Sequence, residues 1–217
     1  METQPLPSDA VSADAAAALA AVPAPARVLI AGIGNIFLGD DAFGVEVAQR
    51  LLRRAWPTGV CVVEFGIRGI DLTYALLEGW DAVVLVDAAP RGFAPGTVYT
   101  IEPDVGDALA ADAAAPVGMP MIEPHSLDPA RVLRLVGSMG GRVGRLVLVA
   151  CEPTPVDDPD GQDIRDGLSP PVRGAVDQAV TVVERLAAQF FESHPIIPRP
   201  PEGAGPECKE LHHGTVC

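Results

Sequence analysis

Apolar and polar positions between residues 27 and 191 follow two rhythms. Short β-rich runs recur: RVLIAGI, GVCVVEF, DAVVLVDA, GTVYTIEP and GRLVLVACEP. DAVVLVDA is continuous and branched, the pattern of a strand buried on both faces, whereas GTVYTIEP alternates better. Between these runs the apolar spacing turns helical. In GVEVAQRLLRRA it falls on Val45, Val47, Ala48, Leu51 and Leu52. GIDLTYALLEG and LDPARVLRLVGSM read as further helices, the second with Asp128 as cap and Pro129 at its first position. LSPPVRGAVDQAVTVVERLAAQFF is a long final helix, with Ser169 at the N-cap and Pro170 opening it.

Strands that alternate with helices predict an α/β fold: a single domain with a twisted, mostly parallel sheet flanked by helices on both faces. The strand order is not readable from the pattern. Residues 1–26 form an Ala/Pro-rich arm expected to be disordered, residues 27–191 the α/β domain, and residues 192–217 a flexible tail rich in Pro, Gly, His and Cys.

Composition narrows the chemistry. The chain of 217 residues carries 29 acidic against 15 basic side chains, a formal charge of −14. That balance argues against nucleic acid, whose phosphates are bound chiefly by basic residues. Lysine occurs only at Lys209, outside the domain. Schiff-base, phosphate-loop and serine–lysine chemistries are thereby excluded from it. Cys61, Cys151, Cys208 and Cys217 show no C-x-x-C spacing, and Cys61 and Cys151 read as small reduced core residues. No apolar run is long enough for membrane insertion and no basic leader precedes the domain, so a cytoplasmic location is expected.

Ligands of open α/β sheets gather beyond the carboxyl ends of the strands. There the sequence places Gly34, Asn35, Asp40 and Asp41 after the first strand, and Glu64, Gly66, Arg68 and Gly69 after the second. Asp87 ends the third strand, His125 precedes the LDPARVL helix, and Cys151 and Glu152 end the last. A dinucleotide fingerprint fails, because Phe37 stands at its third glycine and two aspartates would repel a pyrophosphate. Each acid has an ordinary reading as a helix-start or capping residue, and a lone histidine is most often a surface one. Together, two carboxylates and one imidazole at separate βα junctions form a mixed oxygen/nitrogen site for a divalent transition metal, with positions left open.

The segments GIGNIFLGDDAFGVEVAQRL, GIRGIDL, DAVVLVDAA with PGTVYTI, PHSLDPARVL, LVACEP and GLSPPVRGAVDQAVTVVERL occur in this order over residues 27–186. The chain resembles the hydrogenase maturation proteases, endopeptidases that remove the C-terminal extension of a nickel-containing hydrogenase large subunit. The resemblance implies that Asp41, Asp87 and His125 bind metal and serve catalysis. Nickel is then presented by the large-subunit precursor, and no organic cofactor is needed. It also implies that the loop with Gly66, Arg68 and Gly69 engages the substrate peptide. That loop reads Glu64-Phe65-Gly66-Ile67-Arg68-Gly69, whereas the family commonly has Asp-Gly-Gly-Thr; the threonine hydroxyl is lost to Ile67 and Arg68 adds charge. The stretch 102–121 is longer and richer in Ala than is typical, and reads as an irregular excursion.

A serine triad or cysteine–histidine pair is not expected, since the one domain histidine is committed to metal. The economical mechanism is water attacking a metal-polarised carbonyl with one carboxylate as base. The alternative is a non-catalytic checkpoint that senses nickel with the same residues. Cys208, His212, His213 and Cys217 in the tail are potential soft-metal ligands without a regular zinc spacing, and read as incidental affinity of a mobile tail, the alternative being a nickel-handling appendage.

Overall fold

The computed structural model describes residues 26–109, 129–155 and 166–193. The expected arm, most of the tail, Asp128 and His125 lie outside the described residues.

Strand β1 (Val28–Ile33) leads through a 3-10 turn (Gly39–Ala42) into helix α1 (Phe43–Leu51). Then come β2 (Val60–Gly66), α2 (Gly69–Leu77) and β3 (Trp80–Ala88). The short β4 (Val98–Ile101) and α3 (Val105–Leu109) follow. The chain continues with α4 (Pro129–Ser138), β5 (Val143–Cys151) and α5 (Pro170–Ser193). Each expected strand and helix is present, and α3 adds a turn of helix at the start of the 102–121 stretch. Pro129 and Pro170 open their helices, where a missing N–H costs nothing.

The sheet has five strands in the order β2-β1-β3-β5-β4. β1, β2, β3 and β5 pair in parallel, and β4 lies antiparallel on the far edge beside β5. From β1 the chain first crosses to β2 on one side and then to β3 on the other. The strand order therefore reverses between β1 and β3, and a crevice opens beyond their carboxyl ends.

Two apolar layers hold this sheet. Val28, Ile30, Val84, Val86, Val147 and Val149 pack one face against Phe43 and Val47 of α1 and Val176, Val183 and Phe190 of α5. Leu29, Ala31, Ile33, Val83, Leu85 and Leu146 pack the other against Leu72 and Leu76 of α2 and Val132 and Val136 of α4. Consecutive residues of β3 thus serve opposite layers, which is why its apolar run is unbroken. Burying each such side chain fully stabilises the fold by about 1.5–3 kcal/mol before entropy is counted.

Cys151 is a buried free thiol, as its apolar context predicts. Cys61 is buried too but disulfide-bonded, which corrects its reading as reduced. Among the described residues no helix is long and apolar enough to cross a membrane.

Candidate active site

The loop after β1 is built around glycine and asparagine. Gly34 has φ +127°, and a Cβ there would collide with the carbonyl oxygen of Asp41. The freedom of glycine therefore lets the loop fold back on its own acidic turn rather than admit a ligand. Asn35, only 8% exposed, accepts the Phe37 N–H on its side-chain oxygen at 3.0 Å, an Asx turn. Its own backbone N–H donates to Oδ2 of Asp41 at 2.6 Å. Asp41 is thereby fixed, and its Oδ1 accepts no hydrogen bond among the described residues. Burial raises its pKa above 3.8, and the Asn35 N–H only partly offsets this.

Asp87 closes β3 at 9% exposure, and its carboxylate accepts the Ala88 N–H at 2.8 Å. Topology puts it on the same sheet edge as the turn that carries Asp41. A Cβ on Gly44 would collide with the carbonyls of both Ile33 and Val86, so the start of α1 rests directly on the ends of β1 and β3. The 39–42 turn, just before Gly44, therefore lies at the carboxyl ends of β1 and β3. Asp41 thus follows β1 and Asp87 lies at the end of β3, both on the carboxyl edge of the sheet. The third expected ligand, His125, lies outside the described residues, and among those described no three His, Cys, Asp or Glu side chains group as a metal cage.

Asp40 does a different job from its neighbour. Its Oδ1 accepts the Ser169 N–H at 2.7 Å, and its Oδ2 accepts the Thr154 N–H at 2.9 Å. The Ser169 hydroxyl also donates to Oδ2, at 2.9 Å. Ser169 stands at the N-cap position of α5 as expected, but its hydroxyl is turned to Asp40. Asp40, Asp41, Thr154 and Ser169 line one cleft of about 550 Å³, closed also by Ala88 and Leu168.

Glu152, 5% exposed, accepts the N–H groups of Arg91 at 2.7 Å and Gly92 at 3.0 Å. Burial pushes its pKa up, but backbone bonds from Arg91, Gly92 and Phe93 outweigh it and hold the value below 4.5. Glu152 therefore organises the turn that follows Asp87. Cys151 is a poor nucleophile: burial first, then the charges of Asp40 and Glu152, push its thiol up to about 11.

The loop after β2 lies beside the loop after β1, for the Gly34 N–H donates to the Gly66 carbonyl at 3.0 Å. Arg68 folds back on its own strand. Its guanidinium donates to the carbonyls of Glu64 and, at 3.1 Å, of Phe65, and lies 3.6 Å from Asp71. The charge that set this loop apart in the sequence is thus engaged in shaping it. Ile36, Phe37 and Ile67 are left exposed on the two neighbouring loops, and Ile70 on the first turn of α2.

Sequence reasoning assigned Asp41 and Asp87 to the sheet edge where they lie but missed the fixing role of Asn35 and the contacts of Asp40 and Glu152. The Asn35 turn had a signal, an asparagine two residues before a bulky residue after glycine. The Asp40 and Glu152 contacts span 129 and 61 positions and had none. The donor types fit a cation: Asp41 is a partly buried carboxyl that no arginine pairs among the described residues, and Asp87 is a buried carboxylate on the same sheet edge.

The hydrogenase maturation protease family matches this chain over residues 45–186, a stretch that begins just after Asp41 and includes Asp87. The chain is 32% identical over 170 residues to the hydrogenase expression/formation protein HupD of Rhodobacter capsulatus, covering 77% of this chain and 75% of that one. Its fold is similar to that of the hydrogenase maturating endopeptidase HybD from E. coli, with 28% identity and a TM-score of 0.57 over 80% of this chain and 98% of that one. A second endopeptidase from Escherichia coli, solved in solution, gives a TM-score of 0.59 at 28% identity over 79% and 97%. These likenesses define an enzyme of the peptidase class. The chain belongs to the hydrogenase maturation protease family.

Proposed function

We propose that this endopeptidase removes the C-terminal extension of a nickel-loaded hydrogenase large-subunit precursor. What supports the reading is Asp41 on the turn after β1, partly buried, fixed by Asn35 and free of any cationic partner among the described residues, with Asp87 at the end of β3 on the same sheet edge. Such a carboxyl gains most from a cation arriving from outside. Nickel seated in the precursor is that cation, and Asp41, Asp87 and His125 complete its coordination.

The precursor's peptide lies along the cleft, with the loop of Gly66, Arg68 and Gly69 contacting it. Water attacks the scissile carbonyl, and one of the two carboxylates takes the proton. Asp41 suits that role, because burial moves its pKa toward the working range of a general base. Cys151 holds its proton too tightly to compete.

The test is purified precursor, with and without nickel, mixed with the enzyme and scored by mass. Loss of a C-terminal peptide from the nickel-loaded form alone supports the reading. A stable complex with unchanged mass would instead make the chain a checkpoint, and equal cleavage without nickel would remove the metal from recognition.

A further inference from the structure

Three segments distant in sequence meet at the Asp40 carboxylate: the 39–42 turn, the exit of β5, and the start of α5. The bonds from Thr154 N–H, Ser169 N–H and the Ser169 hydroxyl leave Asp40 no role as a ligand of the kind assigned to Asp41. Thr154 Oγ1 and Ser169 Oγ lie 2.8 Å apart. With the serine hydrogen committed to Asp40, the threonine is the donor. The result is a relay from Thr154 through Ser169 to Asp40, across the floor of the cleft.

We propose that Asp40 is a positioning residue of the endopeptidase. Its carboxylate clamps the Thr154 and Ser169 walls of the cleft to the turn that carries Asp41, and so sets the shape that receives the substrate peptide. The geometry favours this over a simple helix cap. The Ser169 hydroxyl donates to Asp40, and Pro153, Thr154, Gly167 and Leu168 line the same cleft as Asp41. Charge-assisted bonds of this kind are stronger than neutral ones, so a carboxylate holds the walls where an amide would not. The proposal rests on the cleft being the peptide site of the reading above.

Asp40→Asn keeps the shape and replaces one acceptor with a donor facing backbone N–H groups. It is expected to raise KM for nickel-loaded precursor about tenfold and to change kcat less than about threefold. Ser169→Ala removes only the hydroxyl link and raises KM by a smaller factor, while Ser169→Thr, which keeps the hydroxyl, restores it. The double variant Asp40→Asn with Ser169→Ala is no worse than Asp40→Asn alone. A lowered thermal midpoint with unchanged KM in these variants would reduce Asp40 to a staple for α5 and overturn the proposal. A collapse of kcat at constant KM would overturn it too, by placing Asp40 among the reacting groups. If Asp40→Asn does not fold, the Ser169 pair decides by the same split. Asp41→Asn run alongside keeps the two readings apart: wild-type cleavage there overturns the assignment of Asp41, whereas only the KM readings overturn the clamp.

Discussion

The backbone N–H of Asn35 meets Oδ2 of Asp41 at 2.6 Å, and this bond divides two adjacent aspartates by role. Asp41 is partly buried and held by one neutral donor, whereas Asp40 is saturated by Thr154 and Ser169. Adjacent acids in a turn point apart, so the difference follows from which loops pack around each.

Asp41 should cost the enzyme stability when no cation is bound. Its folded pKa is raised above 3.8, so the folded state keeps the proton longer than the unfolded state does. By linkage its contribution is most favourable below that value and declines as pH rises through the folded pKa. The Asp41→Asn protein is therefore expected to have a thermal midpoint equal to or above wild type at neutral pH, with the advantage vanishing in acid. A clear loss of midpoint at neutral pH would show that the charge is stabilised by groups outside the described residues.

Glu152 should act with the opposite sign. Its folded pKa is held below 4.5, so its stabilisation is present above that value and is lost as pH falls through the folded pKa. Glu152→Gln is expected to lower the thermal midpoint at neutral pH, and the gap from wild type should close in acid. A gap of constant size across the titration would mean that shape, not charge, holds the 91–93 turn.

Cys151 is expected to resist alkylation in the native enzyme at mildly alkaline pH, because its thiol titrates only at about 11. Cys151→Ala should still process precursor, at some loss of stability from the vacated core volume. Rapid native-state labelling at Cys151, or loss of processing in a folded variant, would reopen a thiol mechanism.

Gly34→Ala tests the turn itself. At φ +127°, with the Asp41 carbonyl in the way, a methyl group is expected to cost more than about 2 kcal/mol and to displace Asp41. Both the midpoint and cleavage should fall. Normal cleavage by this variant would mean that the position of Asp41 is not set by the loop.

Much of this architecture was legible in the chain, for physical reasons that also mark the limits. Val83, Val84, Leu85 and Val86 announce a strand covered on both faces, since each layer needs its own residues. Ends of parallel strands must fall on one edge, so Asp41 and Asp87 could be assigned to that edge without knowing the strand order. The antiparallel insertion of β4 beyond β5 was not legible, because edge pairing is decided by tertiary contacts that leave no periodic trace. Arg68 misled for a related reason: a charge in a loop reads as available until the carbonyls of Glu64 and Phe65 are seen to occupy it.

The most direct measurement is cleavage of nickel-loaded large-subunit precursor by Asp41→Asn, Asp87→Asn and His125→Ala, scored by mass beside circular dichroism of each protein. The account predicts three folded proteins with processing abolished, and combined variants no worse than single ones, as for members of one site. A folded His125→Ala protein that processes the precursor at near the wild-type rate would contradict the shared metal site, and activity in all three would leave only the fold.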